Sequence, residues 1–315
     1  MDNLCHTLAG AALGQAGLKR RTALGMPTLL VGANLPDVDV LAIPFGHSLD
    51  FRRGWTHGVL ALAVLPFLLT AAVLAWDRWV RRRRSPHAPP ADARGVLLLS
   101  FVSILSHPLL DWLNTYGVRL LMPFSGRWLY GDALFIVDPW VWAALGLGVW
   151  LSRRRERSGR SAPRRPARIA AGAVAAYVAL MVAMSALSER WVRARVQALG
   201  VRPVRSVLAS PVPLSPLRRA ILVETAGGYR RGELTLVPGP RLHLEPGEWP
   251  RGAAHPAVER ARRVPEARRF LVWSRYPVFR VERTAEGTWV HLDDARYTGP
   301  GGRSFAGVSV RVQGR

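Results

Sequence analysis

The sequence predicts a mainly α-helical membrane protein, a polytopic helical bundle followed by a small C-terminal β-rich domain outside the membrane. Apolar residues make up 49% of the 315 residues, and they are concentrated in long stretches with few charges. After residue 200 the chain instead shows short alternating segments separated by Gly and Pro, which is typical of β-strands. We therefore expect a membrane domain over residues 1–190 and a β-rich domain over residues 201–315.

The long apolar stretches predict membrane-spanning helices. A helix needs about 20 apolar residues to cross the hydrocarbon core of a bilayer. The apolar stretches with few charges are residues 58–76, 95–105, 133–151 and 169–187. The first and fourth are long enough to span by themselves, and we expect the second span to cover about residues 94–113. Two earlier apolar segments, residues 4–18 and 22–34, are shorter and are compatible either with two spans or with a re-entrant pair.

Arginine runs beside these stretches predict the orientation of the chain. The net charge is +23, and much of it falls in residues 78–84 and 153–168. Such a charge can indicate nucleic-acid binding, but basic runs that flank apolar stretches are what the positive-inside rule places in the cytoplasm. We therefore expect the lipid bilayer as the partner rather than nucleic acid. The same orientation places residues 201–315 on the extracytoplasmic side.

The segment from Ser106 to Tyr116 indicates a metal site. If it is helical, His107 and Asp111 lie four residues apart on one face, where an imidazole and a carboxylate can hold one cation. Other scarce polar residues also stand at the edges of apolar stretches. They are Asp37, Asp39, His57, Asp132 and Asp138. The predicted orientation puts His57, His107, Asp111, Asp132 and Asp138 on one side of the membrane, where ionisable residues are usually functional.

Each of these residues also has an ordinary structural interpretation. Asp37 and Asp39 follow a proline, where carboxylates commonly cap helices. His107 and Asp111 could form a structural hydrogen-bonded pair. Asn114 and Tyr116 could orient metal ligands through hydrogen bonds, or they could be capping and interfacial residues. On spacing alone, His6 is a structural residue at the start of a helix.

Five motifs in order carry a resemblance to a known family. They are Cys5-His6-Thr7 with the Ala- and Gly-rich helix after it, Asn34-Leu-Pro-Asp-Val-Asp39, Arg53-Gly-Trp-Thr-His-Gly58, residues 106–117, and Phe135-Ile-Val-Asp-Pro139. Over about residues 1–190 the chain resembles the bacterial inner-membrane family of membrane-bound metal-dependent hydrolases. The resemblance implies a multi-pass protein of the bacterial inner membrane with metal-dependent hydrolase activity, and it makes His6 a metal ligand.

The order of the ligands is also similar to that of the zinc-dependent phospholipase C and single-strand nuclease fold, which hydrolyses phosphate esters. In this comparison the places are taken by His6, Asp37 or Asp39, His57, and His107 with Asp111. That fold continues with further histidine and glutamate ligands, whereas this chain offers only Asp132 and Asp138. We therefore expect one or two divalent metal ions, zinc before others, and not a three-zinc cluster.

The sequence thus predicts a metal-dependent hydrolase that acts on an ester or phosphoester, from a small molecule or a lipid, at the outer membrane interface. The predicted metal ligands are His6, Asp37, Asp39, His57, His107, Asp111 and Asp138. Asp39 and Asp138 are the candidate general bases, and Asn34, Asn114, Tyr116 and Asp132 are the residues expected around the ligands. The alternative is a non-enzymatic membrane protein with a metal-binding, transport, structural or sensory role. Residues 58–75 and 169–187 contain no His, Asp or Glu, which argues against a transport pathway.

Overall fold

The computed structural model describes residues 1–45, 51–285, 287–298 and 307–312. His47, to which the sequence assigns no function, lies outside the described residues. The chain divides into two compact units. The first contains Met1–Phe45, Phe51–Ser185 and the short segment Pro211–Pro216, and the second contains Ala186–Ser210 and Leu217–Arg315.

The first unit is helical. Its helices are α1 (Asn3–Gln15), α2 (Gly25–Asn34), α3 (Val59–Trp76), α4 (Arg82–Arg84), α5 (Ala93–Trp112), α6 (Pro139–Arg157) and the larger part of α7 (Arg165–Ala198). Two 3-10 helices, Leu18–Arg21 and Leu35–Phe45, follow α1 and α2, and a π-helical turn, Asp77–Arg81, joins α3 to α4.

Four helical segments of the described residues are long and apolar enough to cross a membrane. They are Gly25–Pro44, Val59–Arg84, Ala93–Trp112 and Arg165–Ala198. The first joins α2 to the 3-10 helix after it, although the proline at position 36 suggests an end at Asn34. The predicted span at residues 133–151 is not among the four, because α6 begins only at Pro139 and its last turns carry five charged residues, 153–157. The structure therefore supports a helical membrane part with a different set of candidate spans.

The basic segments lie together at one end of this unit, which we call the basic end. Lys19, after α1, contacts Glu156 near the end of α6. The backbone N–H of Asp92, just before α5, donates to Oγ1 of Thr22 at 2.9 Å. The basic end comprises residues 15–22, 77–95 and 153–168. Because α1 and α6 run toward it and α2 and α5 run away from it, the polar loops at residues 51–58 and 113–138 lie at the opposite end.

Close helix packing in this unit depends on small residues. A Cβ on Gly32 of α2 would overlap Oγ of Ser103 on α5. Membrane helices gain little from hydrophobic association, so close contacts of small residues commonly hold them together. The contact at Gly32 brings the carbonyl of Ala33 to the ring of His107, at 2.7 Å from Nδ1.

The second unit contains the C-terminal β-sheet region. Strands β1 (Ser206–Val212), β2 (Ser215–Glu224), β3 (Gly228–Thr235) and β4 (Arg241–Leu244) form one sheet in that order, and β5 (Trp249–Pro250) pairs with β3. Strands β6 (Pro277–Thr284), β7 (Gly287–Asp294) and β8 (Val308–Val312) form a second, antiparallel sheet. The short helices α8 (Pro256–Ala261) and α9 (Pro265–Trp273) lie between them in the chain.

The core of this unit follows from the alternation of its strands. The apolar side of the first sheet, with Val223 and Leu234, packs on Val192 and Val196 near the end of α7. Leu208, Leu222 and Tyr229 from the opposite face pack with Tyr276, Val278 and Ala295. Strands β1, β2 and β3 therefore contribute residues to buried clusters on both faces of the first sheet, as the alternating sequence predicts.

Asp294, at the end of β7, is a buried hub of hydrogen bonds. Its side chain accepts from Oγ of Ser274 at 2.8 Å, from the backbone N–H of Arg275 at 2.8 Å, and from Nε of Arg296 at 2.8 Å. Burial raises the pKa of Asp294, but the charge of Arg296 and these hydrogen bonds outweigh it, so the pKa lies below its ordinary value. The ionised carboxylate therefore stabilises the folded unit.

We expect Asp294→Asn to lower the free energy of unfolding by about 3 kcal/mol at pH 7, because it removes the carboxylate that forms the buried ion pair with Arg296. Since folding lowers the pKa of Asp294, its contribution is present above the unfolded pKa of about 3.9 and is lost as the pH falls through the folded pKa. Urea unfolding of the full chain in detergent, followed by tryptophan fluorescence at pH 7 and in acid, measures this. The control Glu233→Gln, in an exposed pair with Arg218, should have little effect. A stability difference equal at all pH values would contradict the expectation.

Candidate metal site

Four metal-ligand side chains converge at the end of the helical unit opposite the basic end. Asp37 comes from the 3-10 helix after α2, His57 from the turn before α3, and His107 and Asp111 from α5. One ligand atom from each lies within 4.8 Å of the other three. His57, His107 and Asp111 are fully buried, whereas the side chain of Asp37 is 12% exposed. The i, i+4 spacing on α5 therefore places His107 and Asp111 side by side.

The two histidines direct a ring nitrogen toward each other. Nδ1 of His107 lies 2.7 Å from the carbonyl oxygen of Ala33. A carbonyl only accepts, so Nδ1 carries a proton, and in the neutral ring that binds a metal the lone pair lies on Nε2, which faces the cluster. Nε2 of His57 lies 3.1 Å from Nε2 of His107. Burial lowers the pKa of His57 despite its contact with Asp111, which favours the neutral imidazole that metal ions bind.

Asp111 provides the test of whether these residues fit a metal ion. Its Oδ2 is buried without a hydrogen-bond partner among the described residues, and it lies 3.3 Å from Nε2 of His57 and 3.4 Å from Nε2 of His107. Its Oδ1 is engaged by Nη2 of Arg53 at 3.1 Å and by the amino group of Met1. When the Nε2 atoms of both histidines are unprotonated, this buried carboxylate oxygen has no donor, which is costly, and two imidazoles with a carboxylate are a donor set that suits zinc. The group therefore fits a divalent cation.

Asp37 is held in a similar way. Nδ2 of Asn3 donates to its Oδ2 at 3.2 Å. Its Oδ1 lies 3.6 Å from Nε2 of His107 and 3.8 Å from Nε2 of His57. In Asp37 and in Asp111, one carboxylate oxygen therefore faces the cluster, and the other is held in place by neighbouring groups.

His6 and Asp39, both predicted ligands, flank the four residues. The ring of His6 stacks on that of His107 with centroids 3.8 Å apart, and its Nε2 lies 3.3 Å from Oδ1 of Asp111. Oδ2 of Asp39 accepts from the backbone N–H of Arg53 at 2.7 Å and lies 3.6 Å from Nδ1 of His57. The hydroxyl of Thr56 lies 3.0 Å from Nδ1 of His57 and donates to Oδ2 of Asp39 at 3.4 Å, so Asp39 lies behind the ring of His57 and orients it through Thr56.

Asp132 and Asp138 have other contacts. Oδ1 of Asp138 accepts from the backbone N–H groups of Trp140 and Val141, both at 3.0 Å, and so caps α6. The hydroxyl of Tyr177 donates to its Oδ2 at 3.2 Å. The carbonyl of Asp132 accepts from Oγ of Ser185 at 2.6 Å. The ligand and base roles of Asp138, and the place of Asp132 around the site, stay predictions.

The asparagine and tyrosine residues that the sequence predicts around the ligands contact two different partners, Arg53 and Thr7. Oδ1 of Asn114 accepts from Nη1 of Arg53 at 3.1 Å, and the ring of Tyr116 lies 4.7 Å from the guanidinium carbon of Arg53. Nδ2 of Asn34 instead donates to Oγ1 of Thr7 at 3.0 Å, which joins α2 to α1. Asn114 and Tyr116 thus contact Arg53 directly, and Arg53 contacts Asp111.

Arg53 has no role in the sequence prediction, yet it is buried at the centre of the site. Its φ is 51°, in the left-handed region, and its guanidinium also donates to the carbonyl oxygens of Met1 and Gly117 at 3.3 and 3.4 Å. One signal for it was present, because Arg53 belongs to a motif of the family resemblance rather than to a basic run beside an apolar stretch. A charged residue within such a motif is a candidate site residue.

Comparisons with known proteins give a family match to the part of the chain that contains these residues. A family model described as "YdjM inner membrane protein" matches residues 1–192, which contain the whole cluster. The uncharacterized protein YfhP of Bacillus subtilis (strain 168) is 24% identical over 162 residues, which are 48% of this chain and 46% of the relative. The chain thus matches about half the length of that relative.

No solved structure matches the chain, and the similarity to the phospholipase and nuclease fold stays a prediction. The family resemblance of the first 190 residues is confirmed, since the family model covers more than half of the chain. The chain belongs to the YdjM inner membrane protein family, which is also known as a family of membrane-bound metal-dependent hydrolases.

Proposed function

We propose that this chain is a metal-dependent hydrolase of the inner membrane. It cleaves an ester or phosphoester at the extracytoplasmic surface of that membrane. The observation that carries the proposal is Oδ2 of Asp111, a buried acceptor with no described hydrogen-bond partner, next to the Nε2 atoms of His57 and His107. These three atoms and Oδ1 of Asp37 are the atoms that would hold the metal. Zinc is the metal that we expect, since it binds imidazole nitrogen and carboxylate oxygen.

The residues around the ligands have distinct tasks in this proposal. A divalent cation supplies a Lewis acid that polarises a phosphoryl or carbonyl oxygen and makes water more acidic. The carbonyl of Ala33 fixes the tautomer of His107, and Arg53 fixes the orientation of Asp111. Asp39, behind His57, is kept as the candidate general base, because its carboxylate lies beside the cluster whereas both oxygens of Asp138 have protein partners.

The position of the site favours a substrate that arrives from the bilayer interface. Asp37 is the partly exposed member of the four, so a substrate approaches past it. The same 3-10 helix exposes apolar side chains, with Leu41 at 66% and Val38 at 40%. The positive-inside rule assigns the basic end to the cytoplasm and therefore the site, with the C-terminal unit, to the outer side. A lipid-derived ester or phosphoester fits these surroundings.

Metal removal tests the proposal. We expect the full chain, purified in detergent, to contain one or two zinc ions and to hydrolyse bis(p-nitrophenyl) phosphate or a short-chain phospholipid in mixed micelles. Treatment with dipicolinate should abolish hydrolysis, and added zinc should restore it. A metal-free but folded protein, or hydrolysis that resists the chelator, would contradict the proposal. Bound metal without hydrolysis of any probe would favour the non-enzymatic alternative.

A further inference from the structure

A groove at the basic end, lined by none of the proposed metal ligands, has the form of a lipid-binding site. It lies between α6 on one side and α1 with α2 on the other, and its volume is about 400 Å³. Its inner wall is apolar and consists of Ala11, Met26, Leu30 and Val149. A helix rises about 1.5 Å per residue, so the eight steps from Val149 to Arg157 extend about 12 Å along the groove. This length accommodates part of an acyl chain.

The outer rim of the groove is cationic. Lys19, Arg153 and Arg157 line it together with Glu156. The carboxylate of Glu156 contacts Lys19 and lies 3.9 Å from Nη2 of Arg20, so its charge is already compensated.

Arg153 and Arg157 can pair with an anionic group of a ligand. They are four residues apart on α6 and are exposed, and neither forms an ion pair within the part of the chain that the structure describes. Positive charge at this rim is thus in excess.

An apolar groove that ends in unpaired arginines is complementary to one kind of ligand. The phosphate of a lipid headgroup can accept two parallel hydrogen bonds from a guanidinium, and its acyl chain can lie on the apolar wall. Basic pockets between membrane helices on the cytoplasmic side bind anionic headgroups in this way. Free phosphate would use the rim but not the wall. We propose that this groove binds an anionic phospholipid, at a site separate from the metal site and independent of hydrolysis.

Lipid titration of the full chain in detergent tests this proposal. We expect phosphatidylglycerol to bind, and Arg153→Gln with Arg157→Gln to weaken its Kd at least about tenfold, with phosphatidylcholine binding at least tenfold more weakly to the wild type. A second variant, Leu30→Gln, changes the apolar wall and should also weaken phosphatidylglycerol binding, whereas an excess of inorganic phosphate should not displace the lipid.

A matched control distinguishes lipid binding by the groove arginines from a general effect of positive charge. Arg83→Gln with Arg84→Gln removes the same charge from the exposed end of α4, which does not line this groove, and should change Kd less than twofold. An unchanged thermal unfolding temperature in all variants shows that they are folded. Equal binding of the two lipids, equal losses in the groove and control variants, or displacement by phosphate would overturn the proposal.

Discussion

Asp111→Asn and His107→Ala should each remove the metal from the purified chain and reduce hydrolysis to background. Changing even the outer residues of a metal site lowers affinity about 10- to 100-fold, so removing a ligand should lower it by more than about 100-fold. Asp111→Asn is the sharper variant, because the amide keeps an acceptor for Arg53 and the shape of the side chain while it removes the charge on Oδ2. Elemental analysis and hydrolysis of bis(p-nitrophenyl) phosphate, on the same preparations, measure both effects.

The matched control lies at the other end of the same helix. Asp92 caps α5 by accepting from the backbone N–H of Gly95, so Asp92→Asn should cost at most about 1 kcal/mol of stability and keep the metal. Full metal content in Asp111→Asn would show that the cluster is a hydrogen-bonded network and not a metal site.

Asp138→Asn tests whether Asp138, one of the three predicted ligands outside the cluster of four, binds the metal. Both oxygens of Asp138 have protein partners, the first turn of α6 and the hydroxyl of Tyr177. We therefore expect its metal content to match the wild type and its thermal stability to fall. Metal loss equal to that of Asp111→Asn would instead place Asp138 among the ligands. The same elemental analysis distinguishes the two results.

The sequence was sufficient to bring His107 and Asp111 together, because helical periodicity is a local property and fixes which residues share a face. It was also sufficient to place Asp37 and His57 among the candidates, since scarce polar residues beside apolar stretches need a reason. It could not distinguish a ligand from a cap at Asp138, where an aspartate before proline has the same local pattern in both cases.

Other features depend on contacts between distant parts of the chain. The bond from His107 to Ala33 joins residues 74 positions apart, and it exists because Gly32 permits close packing of α2 on α5. The helix after Asn34 continues as 3-10 turns, which a proline at position 36 does not prevent, since proline is tolerated in the first turn of a helix. Long-range packing of this kind leaves no periodic trace in the sequence.

Arg53→Lys should lower metal affinity about 10- to 100-fold, although residue 53 touches no metal in the proposed site. The guanidinium reaches Asp111, Asn114 and the carbonyls of Met1 and Gly117 together. An ammonium group has no planar set of donors and cannot reproduce this pattern. Asp111 should then lose its fixed orientation, with Oδ2 no longer directed at both histidines. Competition with a zinc indicator dye measures the affinity.

The lysine variant separates the effect of side-chain orientation on metal affinity from the effect of charge. Removing the positive charge of Arg53 would both release Asp111 and reduce repulsion of a cation, and the two effects on affinity would have opposite signs. Lysine keeps the charge, so the loss of affinity reports orientation alone. Arg52→Lys is the control, because Nε of Arg52 lies 3.8 Å from Asp39 and its side chain is 32% exposed; it should change affinity less than twofold. If Arg53→Lys lowers thermal stability but binds zinc as tightly as the wild type, Arg53 supports the fold and does not position Asp111.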